Sequence, residues 1–259
     1  MSFTFAASLS TAGLFLGMLI LFDVGRRIGN ARLASDMKGV AKGGGVVEGA
    51  VFALLGLLIA LTFTGAASRF EARRSLITEE ANAIGAAYLL VDLLPGDAQP
   101  EMRQLFRHYL DTQLEIYRHV EDMAATKVNI AEAVALQEDI WAKGLAACRR
   151  PEAPEDTAKL LLPALNEMIG IMTIRTVATQ NHPPLAIFLL LAGLSLVSAL
   201  LAGYDNSFSK VRNWFYMVIF AATISLTFYV IIDLEFPRVG LIRIDAADQT
   251  LIDLRKSLK

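Results

Sequence analysis

The side chains best placed to do chemistry are charged groups on stretches that read as helix. Arg69, Arg73 and Arg74 lie just past an apolar window, 46–67, whose one charge is Glu48 at its entry. Arg69, Arg73, Leu76 and Glu80 recur at i, i+3 and i+4 spacing, which puts them on one helix face. Two readings are open. At a membrane edge, guanidinium groups anchor a helix in the headgroup layer and pair with nearby glutamates. In an assembly of several copies the same groups form a cationic ring, which draws anions to a pore mouth as charged rings do in channels. Asp233 closes a later apolar window, and Ser225, Tyr229 and Asp233 recur four apart as a polar stripe. A carboxylate near membrane depth is costly and faces a cavity or a partner, unless it reaches water at the end of its helix.

A metal-like spacing is also present: His108, Asp111, Glu115 and His119 line one helix face. Imidazole and carboxylate at such spacings can converge on a transition metal, but this face lies opposite an apolar one and reads as a solvated stripe. No metal or other cofactor is expected. His182, next to Pro183 and Pro184, reads as a turn, and the glycines 43–45 read as a flexible turn and not a phosphate cradle. The chain contains no GxSxG, Walker, HExxH or strand-linked GxGxxG pattern. No nucleophile, base and orienter can be assembled, so the chain is not read as an enzyme. The single cysteine, Cys148, excludes an intramolecular disulfide and a multi-cysteine zinc site.

The elements that hold these residues follow from where charge is missing. Of the 259 residues 54% are apolar and 19% charged, against about 25% charged in a soluble domain. The deficit falls in four windows, 3–22, 46–67, 184–203 and 214–232, each long enough for a transmembrane helix. The first has no basic leader and no A-x-A site after it, so it reads as a retained span and not a signal peptide. Tyr204, Trp214 and Tyr216 sit at span edges, where amphipathic rings favour the headgroup layer. A net charge of −2 offers nothing to nucleic acid. The expected fold is an all-α polytopic membrane protein, four transmembrane helices in two pairs bracketing an extramembrane helical domain. The pairs cover 1–67 and 184–235, the domain covers 68–183 and is contiguous with the second span, and a tail follows at 236–259.

Within the domain, Phe70, Ile77, Ile84 and Val91 fall seven apart, with Ala81 and Tyr88 on the same face. No proline occurs between Val46 and Leu94, so the second span can run on as one helix, on the order of 70 Å long at 1.5 Å per residue. Further helices are expected at about 100–123 (apolar face Met102, Phe106, Tyr109, Gln113, Tyr117, Val120), 128–148 (Ile130, Val134, Trp141, Leu145, Cys148) and 156–180. Small residues recur at helix-face spacing: Ser10, Gly13 and Gly17; Gly49, Ala53, Gly56, Ala60, Thr64 and Ala67; Ala192, Ser195, Ala199 and Ala202. They let backbones approach in lipid, either inside one bundle or between copies. Arg26, Arg27, Arg32, Lys38, Lys42, Lys210 and Arg212 fall in loops on one side of the membrane, and the positive-inside rule makes that side cytoplasmic.

Around these residues the sequence resembles the bestrophin-like membrane proteins, widespread in bacteria. The resemblance is carried by LTFTGAASRFEARRSLITEEANAIGAAYLLVDLLP (61–95), LPALNEMI (162–169) and FYVIIDLEFPRVGLIRI (228–244), with R-x-x-x-R-R and E-E-A-N-A on one helix. It singles out Arg69, Arg73, Arg74, Glu79, Glu80, Asn82, Asn166, Asp233, Pro237 and Arg238. It implies an integral protein of the bacterial cytoplasmic membrane and a homo-oligomer, for which bestrophins proper supply a pentameric precedent. It further implies a channel for anions such as chloride, with a pore along the second span and a helical domain in the cytosol, opposite to the charge-based side. The apolar neck of bestrophins corresponds here to Phe52, Leu55, Ile59 and Phe63. The acidic calcium clasp of the animal proteins is missing, so calcium gating is not implied. The alternative function is a non-conducting scaffold or sensor whose helical domain binds a partner or ligand.

Overall fold

The computed structural model describes residues 3–35, 44–118, 123–208 and 214–258. Among them every regular element is helical: α1 (Phe3–Ser35), α2 (Gly44–Leu89), α3 (Gln99–Arg118), α4 (Met123–Cys148), α5 (Thr157–Gln180), α6 (Leu185–Asp205), α7 (Trp214–Glu235) and α8 (Asp245–Ser257). Four stretches, held by α1, α2, α6 and α7, are long and apolar enough to cross a membrane. The helices form two compact units, residues 1–68 with 182–241, and residues 69–181 with 242–259.

In the first unit α1 packs along α6 and α7. Neighbours in sequence are therefore not the principal neighbours in space. The contact of α2 with α7 includes an edge-to-face pair, Phe52 on Phe220, with ring centroids 5.9 Å apart. α1 does not stop at the expected 22 but continues to Ser35. Its charged extension carries a pair across one turn, Arg27 Nε donating to Asp23 Oδ2 at 2.7 Å, and glycines let it press onto α6. A Cβ on Gly25 would lie 2.9 Å from both the Leu200 carbonyl carbon and the Tyr204 nitrogen. One on Gly203 would lie 2.7 Å from the Phe22 carbonyl carbon, and one on Gly29 would lie 2.6 Å from Ser207 Cβ. Backbone thus meets backbone, the geometry small residues permit in lipid.

The small residues named from the sequence divide. Ser195 and Ala199 are buried between helices of one chain, and Gly17 lies against Leu196. Gly13, Gly49 and Gly56 have nothing within 4 Å of an added Cβ. Gly44 and Gly45, expected in a turn, begin α2, while Gly43 lies outside the described residues. Lys38, Lys42, Lys210 and Arg212 also lie outside them.

The second unit is built on the heptad read from the sequence. Ile77, Ile84 and Val91 are fully buried, Ala81 and Tyr88 nearly so, and Phe70 packs at the margin. α2 gives way to a 3-10 turn at Leu90–Leu93 just before Pro95, as the residue before a proline disfavours helix. Met102, Phe106, Tyr109 and Gln113 of α3 face inward as expected, and Val120 lies outside the described residues. On α4 the expected Ile130, Trp141 and Cys148 pack against the core from its margin, Ala133, Leu136, Gln137, Ile140 and Ala147 form the buried centre, and Val134 is exposed. An alanine-rich helix carries apolar groups almost all round, so periodicity selects its buried face poorly. Packing selects it instead. Gly144 admits Leu165, whose Cδ1 would come within 2.9 Å of a Cβ there.

The tail contains a helix the sequence reading did not separate. α8 buries Ala247 and Leu251 and packs against α3. Arg255 holds it there with a two-pronged bond to Asp111, Nε to Oδ1 at 2.7 Å and Nη2 to Oδ2 at 2.9 Å.

Candidate functional site

The residues singled out from the sequence are distributed along α2 and at the ends of α5 and α7, and the structure gives them different tasks. On α2 the bulky stripe turns partly inward: Leu55 is buried, Phe52 packs on Phe220, Ile59 is half-buried and Phe63 is exposed. Gly49, Ala53, Gly56, Ala60 and Thr64 are all exposed along the same helix.

The three arginines part company. Arg73 is buried, with Nε donating to the Ala178 carbonyl at 3.1 Å and Nη2 to the Asn181 carbonyl at 3.0 Å. These carbonyls belong to the last turn and C-cap of α5, where backbone acceptors lack intrahelical donors and a cation suits the negative end of the dipole. Arg73 therefore serves as the C-terminal clamp of α5. Arg74 is exposed and reaches Glu71 at 3.5 Å, and Arg69 is half-buried. Hydrogen bonds to charged groups contribute about 1.5–3 kcal/mol each. Arg73→Ala should accordingly lower unfolding stability by about 3 kcal/mol, while Arg74→Ala stays within about 0.5 kcal/mol, both measured by denaturation in detergent.

Glu79 and Glu80 differ as sharply. Glu79 is exposed and accepts from Ser75 Oγ at 2.9 Å. Glu80 is fully buried and meets the Arg175 guanidinium of α5 and the Tyr117 hydroxyl of α3, the latter donating at 2.7 Å. Arg175 also lies over the Tyr117 ring, 4.1 Å from its centroid. Beside this triad is a second polar layer. Gln137 Nε2 donates to Tyr109 Oη at 2.8 Å and to Met172 Sδ at 3.1 Å, and Gln113 Nε2 reaches the same sulfur at 3.4 Å. Burial pushes the Tyr109 hydroxyl well above its ordinary pKa, with the nearby Glu80 charge acting in the same direction. Tyr109 therefore stays a neutral donor and acceptor. Sequence reading placed Gln113 and Tyr117 on the right face but gave no sign of Arg175 or Gln137 as partners, because nothing local links residues so far apart in the chain.

Asp233 is buried, and its task is structural. Oδ1 accepts the Leu241 N–H at 2.9 Å, closing the turn after α7. Gly240 leaves room for it, since a Cβ there would lie 2.7 Å from Asp233 Cγ. Asp233→Ala and Gly240→Ala should each cost about 1–3 kcal/mol by leaving or displacing that buried bond, read as a lower thermal midpoint in detergent. Asn82 and Asn166 are exposed, Pro237 is buried and Arg238 half-buried. The metal-like stripe is spent on neighbouring helices. His108 Nε2 lies 3.0 Å from Glu132 of α4 and Asp111 binds Arg255 of α8. His119 lies outside the described residues, and no group able to hold a metal ion forms among the described residues. Burial raises the Cys148 thiol pKa, which makes it a poor thiolate source.

Two solved structures share this fold, both of a bacterial bestrophin homolog from Klebsiella pneumoniae. A tyrosine-to-alanine variant matches with a TM-score of 0.68 at 13% identity, over 93% of this chain and 98% of the other. A tryptophan-to-alanine variant gives 0.62 at 13% identity, over 96% and 99%. No curated protein matches. The Bestrophin-like domain model matches residues 9–248, nearly the whole chain, and the protein is a member of the Bestrophin-like family.

Proposed function

We propose that the chain is one subunit of an oligomeric ion channel in a bacterial cytoplasmic membrane, with the pore along α2 and anions such as chloride as the permeant species. The carrying observation is the bareness of α2. Only 6% of its most apolar window is buried within the chain, against 22%, 22% and 28% for the other three spans. Its exposed face bears Gly49, Ala53, Gly56, Ala60 and Thr64, residues too small to shield a helix from its surroundings yet suited to close approach by another. Copies of the chain around an axis, five in the pentameric reading, complete that face. Phe63 then supplies the apolar constriction, with Ile59 at its margin, while Phe52, about three helical turns earlier, packs on Phe220. The two pairs of spans, 1–67 and 184–235, form the membrane part, and 68–183 forms the extramembrane domain.

The cationic mouth falls to Arg74 and Arg69, because Arg73 is engaged at the end of α5. Eleven residues, about three helical turns, separate Phe63 from Arg74 along the continuous α2. Purified protein in planar bilayers should carry anion-selective current, and Arg74→Glu with Arg69→Glu should move the reversal potential toward cations. Absence of conductance, or selectivity unmoved by these charge reversals, overturns the proposal. A particle of one or two copies with no axial pore turns it to the scaffold or sensor.

A further inference from the structure

Met172 of α5 is served by more hydrogen-bond donors than its chemistry calls for. Gln137 Nε2 reaches its sulfur at 3.1 Å, Gln113 Nε2 at 3.4 Å and Tyr109 Oη at 3.8 Å, yet a thioether is only a weak acceptor. The reverse holds one amide width away. Gln113 is 1% exposed, and its Oε1 is buried with no hydrogen-bond partner among the described residues. A good acceptor left without a donor is costly. Hydrogen peroxide supplies what each side lacks, an O–H for Gln113 Oε1 and oxygens for the donors. We propose that Met172 is a modification site at which hydrogen peroxide, held by Gln113, Gln137 and Tyr109, oxidises the thioether to the sulfoxide.

The chemistry balances within the site. A lone pair of Met172 Sδ attacks one peroxide oxygen, so the S–O bond forms as the O–O bond breaks. The sulfur gives up two electrons and the peroxide takes them. The departing oxygen leaves as hydroxide and collects the proton from the oxygen now on sulfur, which yields a sulfoxide and a water. Negative charge develops on the leaving oxygen, and the amide and phenol donors meet it in a buried setting where such contacts count most. Burial keeps the Tyr109 hydroxyl protonated, so that donor is not lost to ionisation. Afterwards the sulfoxide oxygen, a stronger acceptor than the thioether, takes over the same donors. A sulfoxide ordinarily disrupts a core by placing a polar group among apolar ones. Here its partners are already in place, so the second unit keeps its fold, and a methionine sulfoxide reductase restores the thioether. Access differs too: Met172 is 8% exposed, against 1% for Met102 and 0% for Met168 in the same core. This inference does not depend on conduction.

The test exposes the full chain in detergent to dilute hydrogen peroxide and follows each methionine by peptide mass spectrometry. Met172 should gain one oxygen about tenfold faster than Met102 and Met168, and the oxidised chain should keep its heat resistance. Gln113→Leu is similar in size but removes both the donor and the open acceptor. It should slow oxidation of Met172 about tenfold, the effect of losing a hydrogen bond or two in the transition state. Tyr109→Phe removes only a hydroxyl and leaves the core packed, so it serves if Gln113→Leu does not fold, and it should slow the reaction about twofold. Oxidation of Met172 no faster than of Met102 and Met168 overturns the proposal. So does a rate that the folded variants leave unchanged, or oxidation that appears only as heat resistance is lost.

Discussion

Gly203→Leu is expected to abolish assembly of the first unit, with a loss of at least about 3 kcal/mol and no monodisperse species in detergent. Overpacking a filled interior costs about 1–3 kcal/mol when side chains can yield. Here the obstacle is the Phe22 carbonyl, a backbone group that can move only if α1 and α6 separate. The mirror change, Gly25→Leu, meets the Leu200 carbonyl and should behave alike. Gly193→Leu, on the same helix as Gly203 but with nothing within 4 Å, is the internal control and should leave the fold intact. Fluorescence-detected size exclusion with thermal challenge separates the two groups. A Gly203→Leu protein as heat-resistant as the Gly193→Leu protein would show that the α1–α6 contact is not close.

Glu80→Ala is the second large effect. Removing one member of a buried ion pair costs about 3–5 kcal/mol, because the other charge is left without its partner. Arg175 would keep its place over the Tyr117 ring but lose its carboxylate, and the Tyr117 hydroxyl would lose its acceptor. Arg175→Met should cost a comparable amount, and the double variant Glu80→Leu with Arg175→Met should cost less than the sum of the singles. Denaturation of the purified protein at fixed detergent concentration reads all three. Additive losses would mean that the two side chains do not act as a pair. Glu79→Ala, at an exposed residue that accepts from Ser75 one turn away, should fall within about 0.5 kcal/mol.

What could be read beforehand depended on the range of the physics involved. The four spans and the uninterrupted run through α2 follow from charge-free length and the lack of proline, which are local. The Ile77–Ile84–Val91 seam follows from a seven-residue repeat, also local, and its residues lie in the core. The centre of the α4 face followed only in part, since its apolar groups nearly encircle it and Leu165 packs at Gly144 across the interface. α8 carried a legible signal in Ala247, Leu251, Leu254 and Leu258, but its short length and charged surface made it read as tail. The site residues show the same division. Their spacing along α2 was visible, whereas the destination of Arg73 at Ala178 and Asn181, more than a hundred positions on, was not. A basic residue at a membrane edge has the same sequence signature whether it lines a mouth or clamps a helix end.

The glycine seam between α1 and α6 also bears on how the chain is made. Gly25 and Gly203 lie about 180 positions apart. At a ribosomal rate of about 5–20 residues per second, α1 leaves the ribosome roughly 10–35 s before the strip it must fit. Through that interval the Gly25 face of α1 is without the α6 backbone it meets in the folded chain, and slowing translation between α2 and α6 lengthens it.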